Sequence, residues 1–177
     1  MNSEKTTVAV LGSERTTVLV RAAFLVGTVI VSPLFLAQPI TGVFVNMALV
    51  LAALSFGVGG EALLIAVIPS MIAFFRGQLP APLFPLIPFI ITGNIILVAT
   101  VHFSFRKYGS FALSAALGSL IKFVFLAAVG FAFAATYFAG TPLSATVLTM
   151  LGWLQLATAL GGSVVAYAVL KIIRFRD

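Results

Sequence analysis

The side chains here that can do more than pack are few. Gln38, Asn46, Gln78, Asn94 and Gln155 carry amides, Thr41 a hydroxyl, and Trp153 the only indole. Arg76 and Lys122 are cations set among apolar residues. Amides pair with neutral polar groups, and a guanidinium takes a carboxylate or phosphate bidentately. This is the chemistry of recognition. Catalysis has little to work with: His102 is the single histidine, has no neighbouring carboxylate, and sits in no serine–histidine–acid set. There is no cysteine, so no thiolate metal site, iron–sulfur cluster or disulfide is possible. No GxxxxGK[ST] segment is present, so the chain holds no nucleotide by a P-loop. No pair of embedded acids offers an ion relay. These residues point to no enzyme, no cofactor and no metal.

What must position these groups is an almost continuously apolar chain. Of 177 residues, 62% are hydrophobic and 8% charged. Soluble domains carry about a quarter charged residues, so the composition predicts an all-α integral membrane protein in the cell membrane. Its length allows about six spans of roughly 20 residues with short loops. Residues 1–21 are polar and read as a cytoplasmic N-terminal segment. Residues 22–177 read as one domain, a bundle of six transmembrane helices.

Apolar runs cover 22–37, 43–57, 62–75, about 83–105, 110–139 and about 143–173. Turns are expected at QPITG (38–42), GVGGE (57–61), RGQLPAP (76–82), RKYG (106–109) and AGTP (139–142). Runs two and three are short for a 30 Å core and suggest helices that stop part-way or lie tilted behind others. Period-two alternation is absent, so a barrel is not supported. A cleaved signal peptide is the competing reading of the first 37 residues; the long charged lead, Pro33 and the FLAQP end speak against it.

The net charge of +6 does not imply nucleic acid, because the basic residues stand at the ends of apolar runs. With six spans and both termini cytoplasmic, Lys5, Arg15, Arg21, Arg106, Lys107, Lys171, Arg174 and Arg176 lie inside, and only Arg76 lies outside. That asymmetry is the positive-inside signal. Polar residues then gather near the outer loops. Gln38 and Thr41 lie in the first, and Arg76 and Gln78 in the second. Asn46 lies about a turn below the first loop, Asn94 deeper, and Trp153 and Gln155 at similar depth. Polar groups facing lipid cost several kcal/mol unless paired, so the economical placement turns them into one cavity open to the outside. Pro80, Pro82, Pro85 and Pro88 form a stiff loop and helix start, with Pro88 placed to kink the fourth helix.

Each residue also has a plainer reading. Asn46 and Asn94 serve as helix cross-links, Arg76 snorkels to headgroups, Trp153 packs, and His102 is interfacial. Lys122 stands twelve residues after Ser110, too deep to snorkel alone. An intramembrane lysine is a functional candidate, and the only acid beyond the termini, Glu61, is its possible partner. Ala23 and Gly27 form a small-xxx-small pair, read as internal packing or as a docking face for another membrane subunit.

The stretch QPITGVFVNMALVLAALSFGVGGEALLIAVIPSMIAFFRGQLPAPLFPLIPFIITGN resembles the substrate-capture (S) components of energy-coupling factor (ECF) transporters. The likeness covers 38–94 in local pattern and roughly 20–175 in size and topology. It implies a short-loop bundle with an outward-facing pocket binding a vitamin-like small solute. It implies a transmembrane coupling protein and cytoplasmic ATPase subunits as partners, with Ala23 and Gly27 in the position of a coupling-protein contact. Two other readings stand beside it: a small structural or assembly subunit of a larger membrane complex, and a channel, which the lack of a continuous polar stripe disfavours.

Overall fold

The computed structural model describes the backbone of residues 2–77 and 80–174 and the side chains of 19–77 and 80–172. Among the described residues every regular element is helical: α1 (Asn2–Phe35), α2 (Gln38–Phe56), α3 (Gly60–Phe75), a 3-10 helix (Ala81–Leu86), α4 (Ile87–Tyr108), α5 (Phe111–Ala135), α6 (Leu143–Leu151) and α7 (Trp153–Arg174). Four helical stretches are long and apolar enough to cross a membrane: Gln38–Phe56, Ala81–Tyr108, Phe111–Ala135 and Leu143–Ile172. Leu19–Phe35 and Gly60–Phe75 are apolar but shorter.

QPITG is not a turn. Its residues form the start of α2, where Pro39 occupies the first turn and needs no N–H partner. The corner consists of Leu36 and Ala37 alone. Thr41 closes it, its hydroxyl standing 3.1 Å from both the Ser32 and Leu36 carbonyls. Pro88 likewise stands in the first turn of α4, where its missing N–H has no intrahelical partner to lose. The polar lead is helical, and α1 runs through Arg21 without a break. α4 ends at Gly109, whose φ of +66° suits glycine and whose N–H caps the Phe105 carbonyl. Ser110 then caps α5 by accepting from the Leu113 N–H.

α2 is apolar on every side because it is surrounded. Ala48, Leu49, Val50, Ala52 and Ala53 are fully buried, and α1, α3, α4 and α7 all pack on it. The second run is therefore not short: with residues 38–42 added α2 reaches 19 residues, long enough to cross a membrane, and it sits in the centre. A second apolar cluster joins the 3-10 helix to α5 and α6 through Leu83, Leu86, Leu126, Val147 and Leu151. The outer surface stays apolar, with Phe24, Phe103, Leu120, Val124, Phe131, Val164 and Ile172 exposed. A continuous apolar coat of this kind fits lipid rather than water.

The chain direction separates two ends. Arg21, Ser55, Phe105, Gly109 and Lys171 line one depression at the basic end. The start of α2, the end of α3, the start of α4 and the α6–α7 junction lie at the other.

Candidate functional site

At the end away from the basic residues a cavity of about 130 Å³ opens between α2, α3, α4, α5 and the α6–α7 junction. The junction exists because the last apolar run breaks at Gly152, where a side chain would strike the Leu148 carbonyl oxygen. The break turns Met150, Leu151, Leu154 and Gln155 into the wall. Gln155 Nε2 donates to the Met150 carbonyl at 3.0 Å, satisfying backbone that the interrupted helix leaves free.

Lys122 lies at the centre of the polar wall and is only 2% exposed. Its Nζ donates to Asn46 Oδ1 at 2.7 Å and to Asn94 Oδ1 at 2.8 Å. The amides are themselves held. Asn46 Nδ2 donates to the Gly42 carbonyl at 2.8 Å and meets Thr158 Oγ1 at 3.3 Å. Asn94 Nδ2 donates to the Ala66 carbonyl at 2.9 Å. Neither amide can be turned over: an ammonium only donates and a carbonyl only accepts, so each oxygen must face Lys122. The network ties α2, α3, α4, α5 and α7 together through groups that are all buried or half-buried.

The neighbouring chain shape makes room for it. A Cβ on Gly162 would lie 2.6 Å from the Val43 carbonyl oxygen and 2.7 Å from Asn46 Cβ. Glycine there lets α7 approach α2 closely enough for Thr158 to reach Asn46.

The pairing of Lys122 with Glu61 that the sequence allows does not occur. Glu61 is exposed at the start of α3, while Lys122 is bound to the two asparagines. No acid lines the cavity, and Glu61 is the one acid whose side chain is described. The ammonium therefore has hydrogen-bond partners but no counter-charge.

Of the residues singled out from sequence, Gln38, Thr41, Asn46, Asn94, Lys122 and Gln155 line this cavity. Gln38 is exposed at its rim, and Thr41 is buried with its hydroxyl directed to backbone. Arg76 is exposed at the end of α3 and is not part of the cavity wall. Trp153 is 64% exposed on the outside of the bundle, also away from the cavity. Gln78 lies outside the described residues. Sequence reading missed Thr158 and Ser70, both buried and both lining the cavity. Only their hydroxyls in apolar runs could have signalled them.

His102 belongs elsewhere. Its Nδ1 lies 3.2 Å from the Ala53 carbonyl and its ring packs against Gly57, so it pins α4 to the end of α2. Ala23 is exposed, and nothing within 4 Å would meet a side chain at Gly27. No internal packing demands a small residue there.

Comparison of the chain with protein families, curated proteins and solved structures gives no match.

Proposed function

We propose that this chain is a membrane-embedded capture protein that takes a small solute into the cavity around Lys122. It spans the membrane six times with both termini cytoplasmic, and the cavity opens outward. The observation that carries this reading is one cavity at the end opposite the basic residues, where buried polar groups from five helices converge on a cation. The interrupted helix at Gly152 supports it, since non-helical backbone at membrane depth belongs where it borders a cavity. The chain does no chemistry on the solute. The resemblance of 38–94 to ECF S components supports a further step: the captured solute is handed to a transmembrane coupling protein driven by cytoplasmic ATPases. Ala23 and Gly27, open on the surface of α1, are the contact in that step.

The test is native mass spectrometry of the full chain extracted in a mild detergent. A small molecule released in stoichiometric amount, and lost from Lys122→Met, is the expected result. A folded chain that carries nothing, and that co-purifies only with other membrane subunits, sinks the reading. It would favour the second one, a structural subunit for which the open Ala23–Gly27 face is the supporting observation.

A further inference from the structure

We infer that the solute is a compact monoanion, a small carboxylate in chemical class, and that Lys122 is the group that holds it. The inference rests on the capture reading and narrows it.

An ammonium has three N–H donors. Two are taken by Asn46 Oδ1 and Asn94 Oδ1, both on protein-held amides that cannot rotate away. The third remains on a residue that borders the cavity. A carboxylate oxygen is the natural acceptor for it, because a charge-assisted hydrogen bond is about twice as strong as a neutral one.

Charge decides more than hydrogen bonding does. Holding an unpaired cation among buried groups costs several kcal/mol, and no acidic side chain lines the cavity to offset it. Water or neutral solute leaves that cost in place. An anion removes it, so the site discriminates by charge. There is one cation in the wall and Arg76 stands outside it. A single negative charge is therefore matched and a second would be left uncompensated. Monocarboxylates fit better than dianionic phosphate esters.

Size narrows the class again. A cavity of about 130 Å³ falls below the ~300–1,000 Å³ of drug-sized sites and near the ~150 Å³ that accommodates benzene. Val45, Ile87, Ile90, Leu151 and Leu154 supply apolar wall for a short alkyl or aromatic body. Gln38 and Gln155 stand nearby for one further polar group. A full-sized vitamin would extend past this volume into the opening of the cavity.

The test is thermal unfolding of the full-length protein in detergent with acetate, butyrate and benzoate, against acetamide, butyramide, benzamide and sulfate. At least one carboxylate should raise the unfolding temperature saturably, and its amide and sulfate should not. Asn94→Asp places a carboxylate beside the ammonium and gives up the hydrogen bond to the Ala66 carbonyl, so its ligand-free unfolding is measured alongside to show that it folds. It should weaken carboxylate binding about ten- to hundredfold, as should Lys122→Met. Equal stabilisation by amides, or full carboxylate binding by Asn94→Asp, overturns the monoanion inference and leaves capture standing. If no probe acts, native mass spectrometry separates the two failures. A co-purified solute that is neutral, dianionic or larger than the probes overturns the inference alone, and an empty chain overturns the capture reading with it. A co-purified monocarboxylate that escaped the probes supports the inference.

Discussion

Lys122 Nζ on α5 lies 2.8 Å from Asn94 Oδ1 on α4, and the other end of the same amide donates to the Ala66 carbonyl of α3 at 2.9 Å. One side chain thus orients a buried cation and joins three helices. Asn46 repeats the device from α2. These amides face Lys122 with their oxygens and the backbone with their nitrogens. Their geometry sets the position of the ammonium and cross-links the helices in one arrangement.

Removing one amide should therefore be costly. Asn94→Leu strips the ammonium of a charged hydrogen bond worth about 1.5–3 kcal/mol and leaves the cation less compensated. Unfolding in mixed detergent micelles should show a loss of that size. In a Lys122→Met background the same change should cost much less, because the amide oxygen has then already lost its donor. The cycle should give a coupling of about 0.5–3 kcal/mol. Additive single and double variants would mean that the two residues do not act together.

Gly162→Ala tests the packing that positions Asn46. The added methyl would lie 2.6 Å from the Val43 carbonyl oxygen and 2.7 Å from the Met47 backbone nitrogen, atoms that no rotamer change can move. α7 must then back away from α2, at about 1–3 kcal/mol for an overpacked contact. The stability loss should be accompanied by weaker solute binding, since Asn46 leaves its station. A variant as stable and as active in binding as the parent would show that the close approach is not required.

Arg76→Gln should behave differently. Arg76 is exposed and outside the cavity, and surface changes away from special features stay within about 0.5 kcal/mol. Solute affinity measured by calorimetry should change by no more than about twofold. A tenfold loss would return Arg76 to the site, as its charge alone suggests.

The contrast between Arg76 and Lys122 shows what the sequence reveals. Apolar runs and punctuating glycines and prolines mark each helical stretch, and lone amides within the runs mark the cavity. Asn46, Asn94 and Gln155 are visible because a polar group in lipid must go somewhere. Lys122 is visible as an anomaly, but its partners are not. Counting from Ser110 puts it at a different depth from the amides, and only helix packing together with the long lysine stem brings them within 3 Å. Arg76 draws attention by its isolation, yet its direction is set by the end of α3, which points it outward. QPITG misleads because proline and glycine mark turns and also occur in the first turn of a helix. The break at Gly152 has no local proline or charge to announce it.

Orientation is open to direct measurement because the chain contains no cysteine. Single cysteines can replace Phe35, Val58, Phe75, Tyr108 and Tyr137, all exposed and placed at or next to successive helix ends. With six spans and cytoplasmic termini, a membrane-impermeant maleimide should label Phe35→Cys, Phe75→Cys and Tyr137→Cys in intact cells. Val58→Cys and Tyr108→Cys should react only after permeabilisation. Phe35 and Phe75 are the decisive positions, because Leu19–Phe35 and Gly60–Phe75 are the two shorter apolar helices. At 1.5 Å per residue the latter reaches about 24 Å, against a core of about 30 Å. If Phe35→Cys labels with the cytoplasmic set, α1 does not span. If the whole pattern inverts, the Lys122 cavity opens to the cytoplasm and the capture reading fails with it.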